Sequence, residues 1–134
     1  MKRVSVVLLF SLVLLSSCGK KDGDATSKSN IQLRRTAHKV MCYRLCGDVD
    51  GYLRMMLDYE RLPREYQSQL RDLMLQHQAE EHDRMGRLTA ATVVGDTLLE
   101  DGSAEVYVEM VWNDSVQERI HLPFVQHDNR WWIK

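Results

Sequence analysis

The stretch Ala104-Glu105-Val106-Tyr107-Val108-Glu109-Met110-Val111-Trp112-Asn113-Asp114-Ser115-Val116-Gln117-Glu118-Arg119-Ile120-His121-Leu122-Pro123-Phe124 alternates with a period of two on either side of a short polar break. Successive side chains of a strand point to opposite faces, so Ala104, Val106, Val108, Met110 and Trp112 share one face of a half-buried strand. Val116, Glu118, Ile120, Leu122 and Phe124 continue that face on the next strand. Turn-forming residues sit where such strands must reverse: Glu100-Asp101-Gly102, Asn113-Asp114-Ser115 and His127-Asp128-Asn129. With Arg87 to Leu99 before and Arg130 to Ile133 after, the pattern predicts four consecutive antiparallel strands. Pro123 removes a ladder donor, which predicts a bulge or a strand end at that point.

Upstream the period is helical. Leu33, Ala37, Val40, Met41 and Leu45 recur at helical spacing, with Gly47 placed to stop the helix and Asp48 to cap the next. Val49, Tyr52, Leu53 and Met56 form a second, shorter stripe. Pro63 at a first helical position and Glu65 in the first turn open a third helix, whose face of Tyr66, Leu70, Leu73, Met74 and His77 leads to a stop at Gly86. Three helices followed by a meander predict an α+β domain, with the helices packed on one face of a twisted four-stranded antiparallel sheet.

The chain opens differently. Lys2 and Arg3 precede a run of 12 residues, Val4 to Leu15, that is apolar except for Ser5 and Ser11. As a helix that run would be about 18 Å long, short of the roughly 30 Å hydrocarbon core, which fits a secretory signal and not a membrane span. Leu15-Ser16-Ser17-Cys18 resembles the bacterial lipobox, in which the cysteine receives a diacylglyceryl thioether and becomes the mature N-terminus. An ordinary signal peptide fits less well, because Leu15 is bulky where a general peptidase site takes a small residue. Gly19 to Asn30 (GKKDGDATSKSN) has no bulky apolar side chain and is expected to be a flexible linker. The organisation read from the chain is therefore a signal peptide over 1–17, a lipidated Cys18 with its linker over 18–30, and a single domain over 31–134.

Formal charge is −1, and loss of Lys2 and Arg3 with the signal makes it −3. No basic stripe interleaves with aromatics, so nucleic acid is not expected as a partner. The expected contacts are the membrane, through lipid at Cys18, and a protein or small-molecule ligand that the residues do not name. The setting implied is the bacterial cell envelope, at the outer membrane, facing the periplasm or the surface. The Lys-Lys-Asp-Gly-Asp run after Cys18 partly resembles the acidic surface-export signal of some Gram-negative lipoproteins, and a solvated linker accounts for it as well.

The helix break at Gly47-Asp48, the long third helix and the closing hairpin ending Asp128-Asn129-Arg130-Trp131-Trp132-Ile133-Lys134 resemble the nuclear-transport-factor-two-like (SnoaL-like) superfamily of α+β cones. More narrowly they are similar to small bacterial lipoproteins of that fold. The superfamily contains isomerases and dehydratases as well as members that only bind or assemble, so the resemblance leaves function open. No residue matches an active-site acid or base of the enzymatic members, and no catalytic, cofactor-binding or metal residue is assigned.

The titratable residues nearest to chemistry are His77, Glu80, Glu81, His82 and Asp83 on the third helix. His77 and Glu81 lie one turn apart and could share a proton or a metal, but the segment lacks the His-Glu-x-x-His spacing and is expected to be a solvated helix end. His121 and His127 are expected to face water. Cys42 and Cys46 are spaced i, i+4, unlike the Cys-x-x-Cys of disulfide oxidoreductases, and are expected to be structural, bridged or packed. Trp112, Trp131 and Trp132 read as packing; the adjacent pair must face opposite ways, and the outward one hints at a contact surface. Glu118 is the charged exception on an apolar face. It is either a desolvated general base or a wet residue at the strand's start. The reading favoured is a non-catalytic binding or assembly module, with an isomerase- or dehydratase-like enzyme as the alternative.

Overall fold

The computed structural model describes residues 19–134, so the signal segment and Cys18 lie outside the described residues. The chain divides into two compact units, Met1–Ile31 and Gln32–Lys134. In the first, the backbone from Gly19 onward belongs to helix α1 (Gly19–Cys46). The expected irregular linker Gly19–Asn30 is thus helical. Once a helix is nucleated, each added residue gains a hydrogen bond for little further cost, which polar composition does not prevent. No helix of the described residues is long and apolar enough to cross a membrane.

The second unit holds the rest. After α1 come α2 (Val49–Arg54), a 3-10 turn at Tyr59–Arg61, α3 (Arg64–Met85), and the strands β1 (Leu88–Leu98), β2 (Ala104–Trp112), β3 (Val116–His127) and β4 (Arg130–Ile133). The strands form one antiparallel sheet in the order β1-β2-β3-β4, the meander expected from the period-two pattern. Gly47 ends α1 with φ 76°, and the Asp48 carboxylate caps α2 by accepting from Gly51 N at 2.9 Å. Pro63 sits at the N-cap of α3, one residue before the expected position, and Gly86 stops that helix with φ 87°.

The hairpins turn as their residues dictate. Asn113 and Asp114 take φ 54° and 61°, Asp128 and Asn129 take 53° and 63°, the left-handed pairs of primed turns. Two register irregularities in β1, between Leu88 and Ala90 and between Val93 and Gly95, bend the sheet. Pro123 lies inside β3 in unbroken register with Glu105 of β2, with neither the bulge nor the strand end expected. Its carbonyl accepts from Lys134 N at 3.0 Å, so its missing N–H also faces the β4 side. β4 ends there, and the ladder to β2 loses nothing.

The core follows the alternation. Leu33, Ala37, Val40 and Met41 of α1 pack on Ala104, Val106, Val108, Met110 and Trp112 of β2, with Leu122, Phe124, Trp131 and Ile133 beside them. Removing each large side chain from water is worth about 1.5–3 kcal/mol. A smaller cluster of Val49, Leu53 and Tyr59, with Leu70 and Met74 against it, fixes α3 to α2.

Candidate functional site

Two helical stripes each carry one charge at the same end of the domain. On α1 the buried positions Leu33, Ala37 and Val40 are followed one turn later by Arg44, whose side chain is 16% exposed, while the expected Leu45 is exposed. On α3 the inward positions are Gln67, Leu70, Met74, Gln78, Glu81 and Met85, and Tyr66, Leu73 and His77 face out. Glu81 is the buried residue of that helix.

Arg44 Nη2 donates to Glu81 Oε2, and His77 Nε2 contacts Glu81 Oε1 from the solvent side, so both carboxylate oxygens have a partner. The Arg44 guanidinium lies 6.0 Å from the centre of the Trp112 ring, within cation–π range. Tyr52 completes the group from α2. Burial pushes its hydroxyl pKa above the ordinary 10.0, Arg44 opposes that shift, and Glu81 adds to it.

An open cavity of about 230 Å³ lies against these residues, lined by Arg44, Leu45, Cys46, Glu81, His82 and Trp112 among others. It is smaller than sites for drug-sized ligands and suits a small polar molecule or one side chain of a partner. A guanidinium carries five donors, and Glu81 engages one, which leaves Arg44 able to meet an acceptor in the cavity. Among the described residues no group of three or more His, Cys, Asp or Glu could hold a metal ion.

The candidates of the sequence are dispersed. Glu81 is not the solvated helix-end residue expected, because α3 turns it inward onto Arg44. His77, Glu80, His82 and Asp83 are exposed. Apolar periodicity alone does not mark Arg44, although a charge falling one turn after Val40 on an apolar stripe is its signal. Glu118 is exposed at the start of β3, and its Oε2 accepts from Trp112 Nε1 at 3.0 Å; it does not line the core. The desolvated-base reading of Glu118 therefore fails.

Cys42 and Cys46 are free and exposed, neither bridged nor packed in the core. A regular helix holds such thiols along its surface, and here Cys42 Sγ lies 3.5 Å from His38 Nε2 while Cys46 Sγ donates to Tyr43 O at 3.5 Å. His121 and His127 are exposed, His121 edge-on to Tyr107 with ring centres 4.7 Å apart. Trp131 is buried and Trp132 half-buried on the opposite face, its Nε1 donating to His127 O at 3.2 Å.

No protein-family profile and no curated protein matches this chain. One solved structure does: a protein described as an NTF2-like transpeptidase from Campylobacter jejuni, 17% identical, with a TM-score of 0.52 over 75% of this chain and 92% of that one. At that identity the likeness speaks for the fold alone. Three helices on a four-stranded antiparallel meander give this chain the α+β fold of that NTF2-like protein.

Proposed function

We propose that the chain is a lipid-anchored protein of the bacterial cell envelope, of the small-lipoprotein kind, whose cone domain binds a ligand or partner without transforming it. Leu15-Ser16-Ser17-Cys18 supports the anchor, with Cys18 as the acylated residue and the outer membrane as its destination. Two or more acyl chains hold a protein stably where one does not.

The observation that carries the binding reading is the bonding of Glu81. The buried carboxylate of the cavity has Arg44 on one oxygen and His77 on the other. Each oxygen keeps a further lone pair, but a carboxylate held by a guanidinium on one side and an imidazole on the other is placed as a structural ion pair, and catalysis would need a substrate proton brought within hydrogen-bond reach of it. The alternative, an isomerase- or dehydratase-like enzyme, rests on that same residue as base. Transpeptidase chemistry, which the description of the Campylobacter protein names, gains no support from Cys46, whose thiol donates to a backbone carbonyl, and the Cys42 thiol beside His38 does not line the cavity.

Two measurements test the proposal. Mass spectrometry of the mature N-terminus should find an acylated Cys18, and Cys18→Ala should abolish the modification; an unmodified terminus at Gly19 or beyond refutes the anchor. Incubation with small-molecule extracts should show retention of a compound without turnover. Turnover abolished by Glu81→Gln would overturn the binding reading in favour of the enzyme.

A further inference from the structure

Away from the cavity beside Arg44 and Glu81, α1 and the β3–β4 hairpin border a second groove, of about 520 Å³. Arg35 and Lys39 of α1 and Arg130 of the hairpin line it, and no Asp or Glu does. None of these three cations has a carboxylate partner among the described ion pairs. Arg35 and Lys39 are also one turn apart on one helix, where like charges repel. The groove therefore concentrates positive charge that the described residues do not compensate.

Beside it runs the outer edge of the sheet, where Trp131 lines the groove. β4 is the last strand of the sheet, and beyond it Ile133 N donates to Met55 O at 2.8 Å while Ile133 O accepts from Leu57 N at 3.0 Å. Residues two apart in a strand present their main-chain groups to the same side, so the N–H and C=O of Trp131 face the side that Ile133 uses. They have no main-chain partner among the described residues on that side, because the chain that would lie there is coiled into α2. Met55 and the Trp132 ring add apolar walls.

We propose that this groove holds an extended acidic peptide segment, its main chain paired with Trp131 and its carboxylates set against Arg35, Lys39 and Arg130. Charge selects an anion. The open donor and acceptor of one strand residue select a peptide, which brings a C=O and an N–H at strand spacing, whereas a free inorganic anion satisfies the cations and leaves the carbonyl unpaired. The proposal does not depend on the cavity beside Arg44 and Glu81, since the peptide would occupy a groove that shares no lining residue with it.

The test uses the full chain in neutral detergent, titrated with an acetylated, amidated Glu-Val-Glu-Val-Glu peptide and with its Gln-Val-Gln-Val-Gln counterpart. Saturable binding of the first, at least tenfold tighter than the second, is expected, together with a shift of the Trp131 main-chain amide resonance. The double variant Arg35→Glu and Arg130→Glu should weaken binding at least tenfold while its melting temperature stays near that of the parent, since both side chains are exposed. Equal affinity for the two peptides, or no saturation at millimolar peptide, overturns the proposal. So does inorganic phosphate that displaces the peptide completely at equal concentration, which would mark a site for small anions only.

Discussion

Arg44 and Glu81, 37 residues apart in the chain, each occupy the inward stripe of a helix and meet at the cavity that both line. Burying two charges costs more than their attraction returns unless geometry and further hydrogen bonds compensate, whereas removing one of them strands the other. Glu81→Ala should therefore cost about 3 kcal/mol, the low end for a buried pair because Arg44 keeps 16% exposure. The double replacement Arg44→Met with Glu81→Leu should cost less than either single change. Urea denaturation of Glu81→Ala, of Arg44→Met and Glu81→Leu, and of their double replacement measures this, and additivity of the two single losses in the double would contradict it.

Tyr52 makes alkaline stability depend on the same site. Its folded-state pKa lies above the unfolded 10.0, so the folded protein holds the phenolic proton more tightly. That contribution is fully present below pH 10 and is lost as pH rises through the folded value. Tyr52→Phe, which cannot ionise, should show a shallower loss of stability than the parent between pH 9 and pH 11. Parallel denaturation curves across that range would remove Tyr52 from the account.

Gly51 sits in α2 where a helix would ordinarily gain from alanine. A Cβ there would lie 2.5 Å from Tyr43 Cδ1 and 2.7 Å from Asp48 Oδ2, the carboxylate that caps the helix. Gly51→Ala should therefore destabilise the domain by about 1–3 kcal/mol, through displacement of the Tyr43 ring and loss of the cap. A rise in melting temperature would show that propensity outweighs packing here.

Much of the cone is legible because its signals are local. The alternation from Ala104 to Phe124, the Asp-Asn turn at Asp128-Asn129 and the Gly47-Asp48 break each act within a few residues, and the structure follows them. The inward face of α3 lies part of a turn from the one its apolar residues suggest: Tyr66 and Leu73 are apolar yet exposed, while Gln67, Gln78 and Glu81 point inward. Hydrophobicity cannot phase a helix whose inward positions are polar. Such positions are settled by a partner on another helix, and the Arg44–Glu81 pairing is a long-range fact that no window of sequence contains. The harmless position of Pro123 has the same origin, since it depends on β4 ending beside it.

The last prediction concerns the first turns of α1. Among the residues whose burial is described, the buried ones of this helix begin at Leu33, and the turns from Gly19 to Asn30 supply hydrogen bonds of the helix ladder. In water such propagation is nearly neutral in free energy, and most helical stability in proteins comes from tertiary packing. A chain starting at Ile31 should therefore melt within about 2 °C of one starting at Gly19, a difference below about 1 kcal/mol for a domain of this size, while its far-UV helical signal falls. A loss of stability well beyond that would mean that residues 19–30 dock on the domain and contribute to its folding. It would also rule out a spacer role for the segment between the proposed anchor at Cys18 and the cone.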